Sequence, residues 1–228
     1  MNIVKRHGIA AESAHLPKGM LGISVGNYYF SKERVSAIAA LGAASCDEFA
    51  IVLVDHPERW NWPLKEGRTF EAHEAKVKHL SAEKRKGFRR ALGQVGLEDS
   101  VPILDWQTAV GQSEAYMRNM TIMEKAYESD MSFYQDVHLQ LRHNVGGKIS
   151  DHETKMGRSL TINELDSLSH YLLEELAGLS SLWLEQGYVD FYNKPTMAIV
   201  ENISNGAYPE IQEAMGYDWT KYGLVEFA

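Results

Sequence analysis

The chain has almost no cysteine, no long apolar run and no excess of positive charge, and each shortage closes off a class of function. Among 228 residues Cys46 is the one cysteine, which excludes a disulfide within the chain and any metal site built on several thiolates. It fits a reducing compartment. No apolar stretch approaches the roughly 20 residues that a transmembrane helix needs, and residues 1–19 lack the apolar centre of a secretory signal, so the expected location is the cytoplasm, with no membrane partner. The formal net charge of −8 argues against a binder that is basic all over. Neither a metal nor another cofactor is expected. What is present is ordinary for a globular protein, 44% hydrophobic and 24% charged residues, in a chain long enough to bury a substantial core. One domain over residues 1–228 is expected, monomeric for preference. Residues 1–18, mixed in charge and without a period, read as a loosely attached arm or a short helix.

The fold class follows from the first hundred residues. The apolar start of Gly19–Ser31 reads as a short buried strand, and residues 32–45, with Val35, Ile38, Ala39 and Leu41 on one face, suit an amphipathic helix ending near Gly42. Phe49–Val54 is a continuous apolar run closed by Asp55, typical of a parallel strand covered on both faces. Strand, helix and strand in succession make a βαβ unit and hence an α/β fold. His56–Arg68 reads as a loop, and Val101–Trp106 as a third, shorter strand. Residues 112–144 form one long helix or two abutting ones, and Gly146–Gly157 breaks the helical pattern. Thr161 with Glu164 has the form of a capping box, opening a helix that runs past Tyr171 and Glu175 to about Leu184. Tyr188–Tyr192 is a late strand and Lys194–Asn202 a further helix.

Two stretches carry chemistry. Ser24 lies in a glycine-flanked turn between the first strand and its helix, at the carboxyl end of a strand where α/β sheets bind ligands, and is the candidate nucleophile. As a bare five-residue match, Gly22-Ile23-Ser24-Val25-Gly26 fits both a plain tight turn and the nucleophile elbow of α/β hydrolases. The second stretch is basic. Lys76, Lys78, Lys84, Arg85, Lys86, Arg89 and Arg90 face one acid, Glu83, between positions 76 and 90. Like charges three and four apart cost a helix about 0.2–0.5 kcal/mol per pair. A solvated face is the plain reading of this run; a bound polyanion would offset that cost, and phosphates are the usual partner.

Gly22-Ile23-Ser24-Val25-Gly26-Asn27-Tyr28-Tyr29-Phe30-Ser31 resembles the active-site signature of the cyclodipeptide synthases. That family carries two short patterns, H-x-aliphatic-aliphatic-G-aliphatic-S and Y-aliphatic-x-x-E-aliphatic-P. Leu21–Ser24 matches the first, and Tyr171–Leu176 the second. Lys18, Met20 and Ala177 depart from the patterns, at positions that are not catalytic in the family. The resemblance implies a Rossmann-like, mostly parallel sheet flanked by helices, like the catalytic domain of class I aminoacyl-tRNA synthetases, and two aminoacyl-tRNAs as substrates. It implies that Ser24 carries aminoacyl and dipeptidyl esters, and that Tyr171 and Glu175, four apart on one helix face, hold the ammonium group. Tyr192 would assist proton transfer, with Tyr188 as the alternative. Asn27 and the amides of Gly22–Gly26 would position the ester. The first side chain would lie against Met20, Gly22, Val52 and Val54, with Trp106 near the floor. The basic helix would take the tRNA. No HIGH or KMSKS string is present, so activation by ATP is not expected.

Asp190 sits two residues before Tyr192 and so on the same face of a strand. Either it points to solvent, or a polar or cationic substrate, histidine fitting best, supplies its partner. Two rivals remain at this level. A serine hydrolase would need a histidine base after the serine, and the last histidine, His170, falls inside a helix. A non-catalytic RNA-binding module would keep the basic helix and need neither Ser24 nor Glu175.

Overall fold

The alternation of apolar residues along two adjacent strands sets the architecture. In the computed structural model, which describes residues 2–65, 67–193 and 197–228, the elements run β1 (Ile3–Gly8), β2 (Leu16–Ser24), α1 (Lys32–Ser45), β3 (Cys46–Val54), α2 (Phe70–Gln94), β4 (Ile103–Asp105), α3 (Glu114–Ser129), α4 (Met131–Met156), α5 (Ile162–Ser180), β5 (Val189–Tyr192), α6 (Ala198–Ser204), α7 (Pro209–Met215) and β6 (Gly223–Phe227). The sheet order is β1-β6-β5-β2-β3-β4. Strands β6, β5, β2, β3 and β4 are parallel, and β1 closes the edge antiparallel to β6.

Side chains alternate across the sheet. Leu21 and Ile23 of β2, with Ile51 and Leu53 of β3, pack on Val35 and Ile38 of α1 and on Phe88 and Leu92 of α2. Met20, Val52 and Val54 point the other way, onto Leu172, Leu173 and Leu176 of α5. Both strands are therefore buried on both faces, which is why they read as unbroken apolar runs. Ser24 follows Met20 and Gly22 in the same phase and faces α5. β2 and β3 stay in register from Leu16 opposite Cys46 to Ser24 opposite Val54, and Met20 lies opposite Asp190 of β5.

Local signals fix the helix starts. The Ser31 hydroxyl accepts from the Arg34 amide at the head of α1, and Thr161 and Glu164 form the capping box of α5. α1 runs past Gly42 to Ser45 and joins β3 directly. Gly42 is glycine for packing, since a Cβ there would collide with the Phe49 ring.

Three expectations are corrected. The first 18 residues are not a loose arm: β1 and the start of β2 belong to the sheet, and the helical part is one 3-10 turn between them, Ile9–Ala11. The helical pattern does not break at Gly146, because α4 continues to Met156 and is capped by Gly157 at φ +64°. Leu141, Val145 and Ile149 recur every fourth residue and pack with Leu160, Leu165 and Leu168 around α5; this packing outweighs the roughly 1 kcal/mol that each helical glycine costs. The helix expected over Lys194–Asn202 begins at Ala198, and Lys194, Pro195 and Thr196 lie outside the described residues.

Candidate active site

The carboxyl ends of β2, β3 and β5 and one face of α5 converge on Ser24. Its Oγ donates to Oε2 of Glu58 at 2.7 Å. Glu58 is 5% exposed and occupies the first turn of a 3-10 stretch, Pro57–Leu64, that follows β3. Gly26 has no positive φ; it is glycine because a Cβ there would collide with the Glu58 carboxylate.

Glu174, on the adjoining face of α5, secures this loop. Its buried carboxylate accepts from Arg59 Nη1 at 2.8 Å, Trp60 Nε1 at 2.7 Å and the Tyr116 hydroxyl at 2.9 Å. A charge at that depth is tolerated only with a counter-ion and donors of this kind.

Glu175 faces the site. Tyr171 donates to its Oε1 at 3.2 Å, and the same phenol interacts with Ser24. Burial raises the Glu175 carboxyl to about 7, against the Tyr171 hydrogen bond and with help from the Glu58 and Asp190 charges. Asp190 points inward: its Oδ1 is buried without a hydrogen-bond partner among the described residues, and burial lifts its carboxyl to about 7 against a hydrogen bond from the Phe191 backbone. Tyr192 shares this environment, its phenol raised by burial and by the Glu175 and Asp190 charges. Tyr188 does not; it lies at the other end of β5, under Lys18 with the ammonium 5.6 Å from the ring centre.

The model of the cyclodipeptide synthase family matches residues 6–177. The chain belongs to that family. No curated protein sequence matches it. The fold is similar to that of a cyclodipeptide synthase from Bacillus thermoamylovorans, with TM-score 0.70 and 18% identity over 92% of this chain and 87% of the other. It is similar too to one from Candidatus Glomeribacter gigasporarum solved bound to Phe-tRNAPhe, at 0.67 and 19% over 96% and 90%. A tyrosyl-tRNA synthetase from Archaeoglobus fulgidus aligns at 0.56 and 14% over 94% and 56%. The Rossmann-like fold of the synthetases is thus shared.

Not every expected site residue of this cyclodipeptide synthase sits where it was sought. Met20, Val52 and Val54 are buried on the α5 side, with Gly22 beside them. Trp106 is fully buried in the same cluster as Met20, Val52 and Val54, and its ring fills the space beside Gly178. The Asn27 side-chain oxygen accepts from its own turn, from the Tyr29 amide at 2.9 Å, which leaves the amide nitrogen as the end that can meet an ester.

The basic residues divide. Lys84 bends under the elbow and donates to the Asn27 carbonyl at 2.7 Å, and Arg85 pairs with Asp105 at the end of β4. Lys78 pairs with Glu74. Lys76, Lys86, Arg89 and Arg90 are exposed. A groove of about 430 Å³, apart from Ser24, runs between α2 and the ends of β3 and β4, lined by Asp55, Lys78, Arg85, Lys86, Arg89 and Asp105 among others.

Glu58 and Glu174 were missed in the sequence. One signal for Glu58 existed: an acid directly after β3 emerges beside the end of β2, because parallel neighbours finish at the same edge. Among the described residues, no group of three or more histidine, cysteine, aspartate or glutamate side chains is placed to hold a metal ion, and no helix is long and apolar enough to cross a membrane.

The Asp190 shift has a measurable consequence. Its carboxyl titrates near 3.8 unfolded and about 7 folded, so the folded state holds the extra proton between those values and stability falls as pH rises through them. Asp190→Asn removes that loss. The variant should melt at least about 3 °C above wild type at pH 8, since 1 kcal/mol is worth about 2–4 °C at this size, with the difference closing at pH 4. Equal melting temperatures at pH 8 would place the carboxylate in water.

Proposed function

We propose that this enzyme makes a diketopiperazine from two aminoacyl-tRNAs by a ping-pong route through esters on Ser24. The observation that carries the reading is the set of groups around the serine: a carboxylate on its hydroxyl, the Tyr171–Glu175 pair beside it, and, among the described residues, no basic side chain contributing to the shifts of Glu175 or Asp190. Such a site has room for a cation, and the α-ammonium of an aminoacyl ester supplies one.

The chemistry needs no ATP, because the tRNA ester is already activated. Ser24 attacks the first ester and releases tRNA, leaving an aminoacyl-enzyme. The amine of this bound residue attacks the ester of the second aminoacyl-tRNA and displaces its tRNA, giving a dipeptidyl-enzyme. The new terminal amine then attacks the ester at Ser24, closes the ring and frees the serine. Tyr171 and Glu175 hold the ammonium, and Glu175, titrating close to the α-amino range of about 7.7–8.0, accepts its proton. Tyr192 moves protons in the later steps. The Asn27 amide and the backbone amides of the turn after Ser24 stabilise the oxyanion. The first side chain lies between β2 and β5, where Asp190 bonds an N–H at its tip; histidine fits, and lysine or arginine carries the same chemistry. A synthase similar in fold was solved with a charged tRNA, in keeping with these substrates.

The test mixes the purified protein with single charged tRNAs and weighs it intact. An aminoacyl increment on the peptide holding Ser24, chased by a second charged tRNA into a cyclic dipeptide, supports the reading. Free amino acid without cyclic product would instead indicate a hydrolase, and binding without an increment a tRNA-binding module. Among the described residues Ser24 Oγ bonds Glu58 and no histidine, which disfavours the hydrolase.

The exposed part of α2 is the tRNA surface in this reading. Replacing Lys86, Arg89 and Arg90 by alanine should weaken tRNA binding and reduce the slope of log affinity against log salt by about two to three, close to one for each phosphate no longer neutralised. An unchanged slope would make α2 an ordinary solvated face.

A further inference from the structure

We infer that Glu58 is a catalytic residue, the base that takes the proton from Ser24 as the aminoacyl group arrives and returns it to the departing tRNA. The inference rests on the ester reading above and adds the group that makes the serine a nucleophile.

A serine hydroxyl is a weak nucleophile until an adjacent group removes its proton. At this site the hydroxyl already points at an acceptor, Oε2 of Glu58 at 2.7 Å, within the reach that proton transfer needs. The arrangement is built. Pro57 opens the short helical stretch that carries Glu58, the Glu58 amide donates to the Asp55 carbonyl at 3.1 Å, and the buried His73 ring donates to the Glu58 carbonyl at 3.1 Å. Gly26 gives up the space that its Cβ would fill, and Glu58 Oε1 occupies it. An elbow glycine with no positive φ that yields its volume to a carboxylate is a second, independent sign that the carboxylate belongs there.

The charges that face Glu58 come from three sides. Lys84 of α2 and Lys65 of its own loop interact with it favourably, while Tyr171 and Glu175 of α5 feel its charge as repulsion.

The step balances. As the Oγ–carbon bond forms at the ester carbonyl, the Ser24 proton moves to Glu58 Oε2. As the tetrahedral intermediate collapses, the bond from carbon to the tRNA ribose oxygen breaks, that oxygen takes the proton from Glu58, and the carboxylate is restored. At ring closure the same group, protonated by the attacking amine, returns the proton to Ser24 Oγ.

The test is single-turnover formation of the aminoacyl adduct, read by intact mass over pH 4–9. Glu58→Gln keeps an acceptor and the shape of the side chain, and should slow the adduct by about 10²- to 10⁴-fold, the range for general acid–base groups, with tRNA affinity kept. Gly26→Ala is the second variant, displacing the carboxylate by its added methyl group without changing Glu58; it should slow the adduct in the same manner. Acylation by Glu58→Gln within threefold of wild type would overturn the inference. Should Glu58→Gln not fold, a wild-type rate in Gly26→Ala would overturn it alone. No adduct on the wild-type protein from any charged tRNA would instead bring down the ester reading, and the role of Glu58 with it.

Discussion

Ser24→Ala should yield neither aminoacyl adduct nor cyclic dipeptide, and should melt within a few degrees of wild type. The fold is spared because Oγ lies at the end of β2 and contacts only site groups, Glu58 and the Tyr171 phenol, while Met20 and Leu21, which hold the strand, lie earlier and remain buried. Glu58 loses one donor, worth about 1–3 kcal/mol when a buried group is stranded, but Lys84 and Lys65 still interact with it. Activity has no such reserve. Deleting the nucleophile of a covalent mechanism costs on the order of 10⁶-fold in turnover, which takes the product below detection. The check is product mass spectrometry together with intact mass and thermal melting. Cyclic dipeptide at wild-type yield from a folded Ser24→Ala protein would remove Ser24 from the mechanism.

Expressed in bacteria, the wild-type enzyme should release cyclic dipeptides containing a residue with an N–H at the tip of its side chain, histidine first. Asp190→Leu should abolish these and admit apolar residues in their place. The reason is the cost of a buried carboxylate oxygen left unpaired. Among the described residues Asp190 Oδ1 is buried without a partner, beside Met20 in the neighbouring strand, and leaving a buried charge uncompensated costs several kcal/mol. A substrate that brings the missing donor recovers that cost, whereas leucine or phenylalanine would add to it. A site built around a polar group rejects analogues lacking the matching group far more strongly than an apolar pocket sorts by size, by up to about 10⁴–10⁵-fold. Wild-type products containing only aliphatic and aromatic residues would reject this assignment, and Asp190→Leu would then leave the product spectrum as it is.

The sheet was legible because β2 and β3 are buried on both faces, so unbroken apolar runs could mean little else. The α5 helix was legible from its capping box. β1 was not, because it is a half-exposed edge strand whose pairing with β6 joins residues such as Ile3 and Phe227, a separation no local pattern reveals. The extent of α4 was hidden by Gly146 and Gly147, whose poor helix propensity is outweighed by packing on α5. In the site, Ser24, Tyr171 and Glu175 stood out through two short patterns. Glu58 and Glu174 did not: their roles come from which strand ends at which edge and from which face of α5 meets the loop. Charge counting found the basic helix but could not tell Lys84 and Arg85, which are engaged inside the protein, from their exposed neighbours.

The position of β6 between β5 and β1 also sets a timetable for the growing chain. Ser24 and the β2–α1–β3 unit leave the ribosome early and can pair locally, but β5, which carries Asp190 and Tyr192, is made near the end. β1, synthesised first, has β6 as its partner and must wait for it. Long-range pairing of this kind is slow, since the closure of a long loop precedes its reward. Along this chain Ser24 is therefore made well before Asp190 and Tyr192, and the sheet that brings these strands together is complete only when β6 takes its place between β5 and β1.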